Sequence, residues 1–266
     1  MRVSRLLLVM IWLLSGLGPA ASPVAAAPDL REDLTYQISL GPWDRVALVH
    51  LRLMEVQTDH YLAEFSGAAQ GMWQLLNRWL PESYQTEMVY RDGRLLPLVF
   101  REKFLYKGRH YLKEYHFDYG QKRLTLWSKT DNREREKEWE AQMDEPIYDL
   151  LSLFYNLRLG ALGPLPGGST LRVAILPNPE PQELVGCIGP ETKQGRKIML
   201  HWRPMGSTKE YPCFVYLNPE QVPTLGWARV FFFGKLQGRL LNPDEIRKDG
   251  LLSPSPAAPP TSGARR

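Results

Sequence analysis

Apolar and polar residues alternate with period two along most of this chain, the signature of half-buried β-strands. Residues 34–41 predict a first strand, turning at Gly41-Pro42. Residues 46–56 follow, with Ala47, Val49, Leu51 and Leu53 on one face, and 61–68 read as the hairpin partner. Strands over 84–90 and 95–106 are joined by Asp92-Gly93, a strong two-residue hairpin signal. Pro97 lacks a donor and belongs near a strand start or on an edge. Alternation is cleanest over 110–119, where Tyr111, Tyr115, Phe117 and Tyr119 oppose His110, Glu114, His116 and Asp118. Gly120 turns the chain into 123–129, and the sign-alternating stretch 133–138 predicts a solvated strand or ribbon. Further strands are predicted over 171–176, 183–188, 196–203, 214–217, 227–233 and 235–240.

Two segments break the pattern. In 71–81, Trp73, Leu76 and Leu80 share a helical face and Pro81 ends the run, which predicts a short helix capping the sheet. In 145–158, Ile147, Leu150, Leu151, Phe154 and Leu157 recur at helical spacing and predict a central amphipathic helix. Pro146 suits its first turn, Asp144 or Glu145 its positive start, and Gly160 its end. About a dozen hairpin-linked strands around one helix define an α+β, strongly β-rich fold. Open twisted sheets of that size curl or close, so the expected architecture is a curled antiparallel sheet or incomplete barrel with the helix on its concave side.

The ends of the chain are different. Arg2 and Arg5 precede an apolar core over 6–14, too short to span a membrane, and small residues follow; residues 1–26 predict a signal peptide cut after Val24-Ala25-Ala26. An uncleaved N-terminal anchor is the alternative. The mature chain is then a single β-rich domain over 27–252, followed by a disordered Pro/Ala/Ser-rich tail over 253–266. No other stretch has the ~18 apolar residues of a spanning helix, so the reading is an exported, periplasmic protein that is not integral to the membrane. Two of the 33 basic residues lie in the leader, leaving 31 against 29 acidic ones, so overall charge gives no nucleic-acid footprint.

Cys187 and Cys213 are the only cysteines. A disulfide would stabilise by ~3 kcal/mol. In a meander, however, first and third strands lie about 9–10 Å apart, beyond the ~7 Å limit for bridging. Two free, mostly buried thiols are expected, with the disulfide the alternative.

Catalytic and metal chemistry finds little support. There is no G-x-S-x-G, H-E-x-x-H, P-loop or dinucleotide fingerprint. His110 and His116 share a strand face but sit about 20 Å apart, too far for one metal, and His50, His60 and His201 stand alone. No metal and no cofactor is expected. On the central helix Asp149, Ser152, Tyr155 and Arg158 follow one another at i, i+3 and form a polar stripe. It reads either as a ligand-contacting stripe in a cleft or as a structural network tying helix to strand edges, in which Arg158 pairs with Asp149 or with backbone carbonyls at the helix end. Trp43, Trp73 and Trp79 lie in or beside turns and the short helix, where the mouth of an apolar pocket would be.

The helix segment Asp149-Leu150-Leu151-Ser152-Leu153-Phe154-Tyr155-Asn156-Leu157-Arg158 resembles the D-x-L-S-x-x-Y-x-x-R helix of the exported bacterial family known as domain of unknown function 3108. Tyr36 in an early strand, Asp92-Gly93 before Pro97, Glu191 to Gly195 before a strand, and Tyr216-Leu217-Asn218 with Pro223 agree. The resemblance covers about 36–240; Gly41-Pro42-Trp43 departs from the family's usual Gly-rich turn. It implies an exported β-rich protein of no established activity, similar in outline to half-barrel lipoprotein carriers that wrap around helices. The functional expectation is a non-enzymatic envelope protein binding a lipid or other apolar or amphipathic ligand in the concavity. The alternatives are an interaction module meeting another envelope protein and an enzyme acting on envelope glycan or lipid.

Overall fold

The computed structural model describes residues 28–70, 81–106, 108–131, 133–176, 180–202, 211–230, 234–243, 246 and 251–252. The predicted leader over 1–26, the predicted tail from 253, and the predicted short helix over 71–81 with Trp73 and Trp79 lie outside them, except Pro81, which opens a strand.

The described residues form one sheet of fifteen strands and one helix. In chain order these are β1 (Asp29–Leu40), β2 (Trp43–Gln57), β3 (His60–Ala69), β4 (Pro81–Arg91), β5 (Arg94–Tyr106), β6 (Arg109–Asp118), β7 (Arg123–Thr130) and β8 (Glu136–Gln142). Then come β9 (Ile147–Tyr148), α1 (Leu150–Arg158), β10 (Thr170–Ile175), β11 (Gln182–Thr192), β12 (Gly195–Trp202), β13 (Tyr211–Leu217), β14 (Pro223–Val230) and β15 (Gly234–Leu240). Neighbours run β8-β7-β6-β5-β4-β3-β2-β1-β15-β14-β13-β12-β11-β10-β9. Every pair is antiparallel except β9 with β10, where Ile147 faces Ala174 and Tyr148 faces Ile175.

The two edges of this sheet, β8 and β9, are consecutive in sequence. Gln142 and Ile147 are five residues apart, so chain length alone holds the edges within about 18 Å. The sheet must therefore curl back on itself. Side chains rather than ladder hydrogen bonds fill the seam: Met143, Ile147 and Leu176 pack with Phe117, Leu124 and Leu126. The result is the incomplete barrel expected, with fifteen strands rather than a dozen. A second cluster lies beneath the helix, joining Leu34, Leu53, Tyr61, Met88 and Leu95 to Leu151 and Tyr155. A third, smaller one holds Ile188, Ile198 and Leu217 on the concave side of β11–β13, with Leu157 and Leu165 against it.

Three elements differ from the sequence pattern. The helix starts at Leu150, not in the first turn after Pro146: Ile147-Tyr148 pair with β10 and both side chains are buried. Apolar residues at 147 and 150 satisfy a strand followed by a turn as readily as a helical stripe, and Asp149, with extended backbone, supplies the cap that Asp144 or Glu145 was expected to provide. The charged ribbon is β8, three residues later than predicted, and the strand predicted over 227–233 begins at Pro223, a first position that needs no donor.

The thiols of Cys187 and Cys213 are free and half-buried. Cys187 pairs with Met199 and Cys213 with Leu200, adjacent residues of β12, so the two side chains lie on opposite faces of the sheet. One glycine is dictated by close approach. At Gly195, φ is +103° and a Cβ would meet the Leu217 carbonyl oxygen at 2.1 Å.

Candidate functional site

The face that α1 buries is not its apolar stripe. Leu151, Ser152, Tyr155 and Asn156 are buried, whereas Leu150 is 37% exposed and Phe154 and Leu157 are half-covered. A helix can turn a polar face inward only where the sheet meets it with complementary groups. Thr86 and the backbone of Leu95 do so.

Asp149 caps the helix. Its Oδ1 accepts from the backbone N–H of Leu151 (2.8 Å) and Ser152 (3.2 Å) and from the Thr86 hydroxyl (2.7 Å); its Oδ2 accepts from Ser152 Oγ (2.7 Å). The Asp149 N–H donates to Ser152 Oγ at 3.0 Å, completing a reciprocal capping box. Burial raises the Asp149 pKa, against the pull of the Thr86, Ser152 and backbone donors.

Asn156 acts as a substitute strand. In the Asp92-Gly93 turn both residues have positive φ, and Tyr90 faces Leu95 one pair beyond the turn. Such a pair directs its N–H and C=O away from the partner strand. β6 ends its pairing with β5 at Val99, so it cannot supply partners. The Asn156 amide does: Leu95 N–H donates to Oδ1 (3.0 Å) and Nδ2 donates to the Leu95 carbonyl (2.7 Å) and to the Ser152 carbonyl (2.8 Å). Asn156→Ala is expected to cost about 2 kcal/mol, because it leaves two buried backbone groups unpaired; urea unfolding measures it, and a loss within about 0.5 kcal/mol would place water on the strand edge at Leu95 instead.

Arg158, at the other end of α1, reaches β1. Its Nη2 and Nε lie 3.3 and 3.4 Å from Glu32 Oε1, and Nη1 donates to the Glu220 carbonyl. Among the described residues neither Asp149 nor the helix's own carbonyls are its partners. The pair is buried, with side chains 8% and 0% exposed. Burial raises the Glu32 pKa more than Arg158 lowers it. Beside it the Tyr36 hydroxyl donates to the Pro223 carbonyl (3.0 Å), and Asn218 closes the β13–β14 turn by accepting from Val222 N–H (2.8 Å). Two buried polar atoms of this junction, Glu32 Oε2 and the Tyr155 hydroxyl, have no hydrogen-bond partner among the described residues.

A third buried acid, Glu102, lies on the concave side of β5 opposite Lys113 and Tyr84. Burial pushes its pKa up to about 7, with Lys113 opposing and Asp149 adding to the rise.

The polar stripe read from the sequence is thus split. Asp149 and Ser152 close on each other and on Thr86, Tyr155 faces the core, and Arg158 joins β1 to the β13–β14 turn. Trp43 is 44% exposed in the β1–β2 hairpin, away from these residues in the chain's register. Glu32, Thr86, Glu102 and Asn156 were not anticipated. For the three strand residues the signal was available: Glu32 is in phase with Leu34 and Tyr36, Thr86 with Tyr84 and Met88, and Glu102 with Phe100 and Phe104, each a polar residue in the apolar phase of its strand.

An open hollow of about 510 Å³ adjoins the helix end, lined by Leu157, Leu162, Pro164, Leu165 and Pro166, with Arg196 at its side. Arg196 donates to Glu191 and to the Leu165 carbonyl. Among the described residues no three His, Cys, Asp or Glu side chains are grouped to hold a metal, and no helix is long and apolar enough to cross a membrane.

Comparison with known proteins places these features in a family. No curated protein matches the sequence. Among solved structures, the chain is similar to a beta-barrel-like protein of domain of unknown function DUF1849 from Brucella abortus, at 10% identity and a TM-score of 0.45, covering 81% of this chain and 98% of that one. The profile of the protein family of unknown function DUF3108 matches residues 35–185, which hold Tyr36, Asp92-Gly93 and the whole of α1. The chain belongs to the DUF3108 family.

Proposed function

We propose that this protein is a non-enzymatic carrier that holds an apolar or amphipathic ligand on the concave side of its sheet, and that the leader over 1–26 sends it to the cell envelope. The observation that carries the reading is the hollow of about 510 Å³ beside Leu157 and Leu165, a volume typical of small-molecule sites. It opens beside the concave face of β10–β13, where Leu171, Leu200 and Val215 are only half-covered. Next to that wall the concave positions of β14 and β15 include the small residues Gly226, Ala228 and Gly238. Arg196 would meet a polar or anionic end of the ligand, while proline and leucine side chains meet its apolar part.

The non-enzymatic part rests on the junction residues. Asp149 is held by four donors, and Arg158 by a buried carboxylate and a carbonyl, so neither is presented to a substrate. Assembly through strand edges fits the geometry less well. Edge strand β8 carries Glu136, Lys137, Glu138 and Glu140, charges that discourage added strands, and β9 is two residues long.

The test is native mass spectrometry and solvent extraction of the purified protein, followed by titration with a fluorescent fatty acid. Binding is expected, and Leu157→Trp, which fills the hollow, is expected to weaken it by about tenfold with the melting temperature kept. Absence of any extracted apolar species together with no uptake of the probe would sink the proposal.

A further inference from the structure

We infer that the convex face of β12–β15 docks on an anionic lipid surface, independently of any ligand held inside. Across these four adjacent strands there is no aspartate or glutamate, while Arg196, Lys197, His201, Arg229, Lys235 and Arg239 all fall within them. A chain with 33 basic and 29 acidic residues has no such imbalance overall, so the charge is concentrated here.

The register puts four of these cations on one side. Ile198, Leu217 and Leu240 are buried on the concave face, so Lys197, Arg229, Lys235 and Arg239, at the alternate positions, are on the convex one. None of the four is in an ion pair among the described residues. Three neighbouring carboxylates are engaged elsewhere: Glu183 with Arg172, Glu191 with Arg196, and Asp44 with Gln37 and Ser39.

Two aromatic rings stand among the cations in a ladder across the strands. Lys197 Nζ lies 4.4 Å from the Phe214 centroid, Phe214 and Trp227 stack at 4.2 Å, and Lys235 Nζ lies 5.0 Å from the Trp227 centroid. In the strand order Lys197, Phe214, Trp227, Lys235 the ring faces are taken by each other and by the ammonium groups. Nucleic-acid bases need open aromatic faces to stack on, which this ladder does not offer. Ring edges among lysines suit a headgroup layer, where tryptophan and basic side chains concentrate. Shape agrees: a convex sheet touches a plane along a strip a few strands wide, the width of this ladder.

Co-sedimentation of the purified chain with vesicles of phosphatidylcholine, with and without phosphatidylglycerol, tests the inference. Binding is expected only with phosphatidylglycerol, lost at high salt, and reduced by about tenfold in Lys197→Glu/Lys235→Glu. Lys122→Glu/Lys129→Glu, which reverses two exposed charges outside this face, is expected to bind as the parent does. Equal binding to neutral vesicles, no binding to anionic ones, an equal loss in both double variants, or retention on heparin without vesicle binding would each overturn it. Circular dichroism establishes that both variants keep the sheet.

Discussion

Arg158→Met is expected to destabilise the protein by about 3–5 kcal/mol, the range for removing one partner of a buried ion pair. The guanidinium is the group that faces Glu32, and it also holds the Glu220 carbonyl of the β13–β14 turn. Without it a carboxylate with no exposed side-chain surface is left in the core. The cost comes from that orphaned charge rather than from the worth of the pair, since two ions taken out of water repay little net energy by meeting. The double variant Glu32→Leu/Arg158→Met is therefore expected to recover most of the loss. Because burial already raises the Glu32 pKa, removing Arg158 raises it further, and the single variant is expected to lose less at pH 5 than at pH 8. Urea unfolding at both pH values checks all three statements. A single variant within about 1 kcal/mol of the parent would mean that water reaches this junction freely.

Glu102→Gln is expected to stabilise the protein at pH 8, by up to about 3 kcal/mol. The carboxyl has a pKa of about 7 in the folded chain against 4.5 for its ordinary value, with burial the main cause. The folded state therefore binds the proton more tightly than the unfolded one. Stability from this group is complete below pH 4.5, falls as pH rises, and is fully lost above pH 7. Each pH unit between the two values is worth about 1.4 kcal/mol, which sets the ceiling. Glutamine keeps the shape and removes the charge, so the variant is expected to match the parent near pH 4 and exceed it at pH 8. Glu32 and Asp149 shift in the same direction, and a shallower slope persists in the variant. If the parent and Glu102→Gln unfold at the same urea concentration at pH 8, Lys113 rather than burial controls this carboxyl.

The residues that carry the family resemblance are far apart in sequence and meet in space. Tyr36 donates to Pro223, Arg158 holds the carbonyl two residues after Asn218, and the Cβ position of Gly195 points at Leu217. The Asp92-Gly93 turn leaves the Leu95 backbone for Asn156 to take. These contacts pin α1 between β4 and β5 on one side and β1 with the β13–β14 turn on the other. A strut in that position holds an unclosed sheet in its curl without a continuous ladder, while the hollow at its C-terminal end stays open.

The alternation of side chains by itself determined that this chain is built mainly of antiparallel, hairpin-linked strands. A strand's period of two depends only on its own residues, and turns such as Asp92-Gly93 are set by local φ preferences. The same reasoning located the helix to within four residues of its start. Which face of the helix is buried was decided by tertiary structure, because Thr86 and Leu95 offered hydrogen bonds to Asp149 and Asn156 and so made a polar face cheaper to cover than Leu150. The partner of Arg158 was likewise out of reach of spacing rules, since Glu32 lies 126 residues away and only the pairing of β1 with β15 brings the first strand beside the second half of the sheet. Burial of Glu102 and the opposite facing of Cys187 and Cys213 belong to the same class: phase along one strand is local, but what covers that phase is a property of the curled assembly of strands.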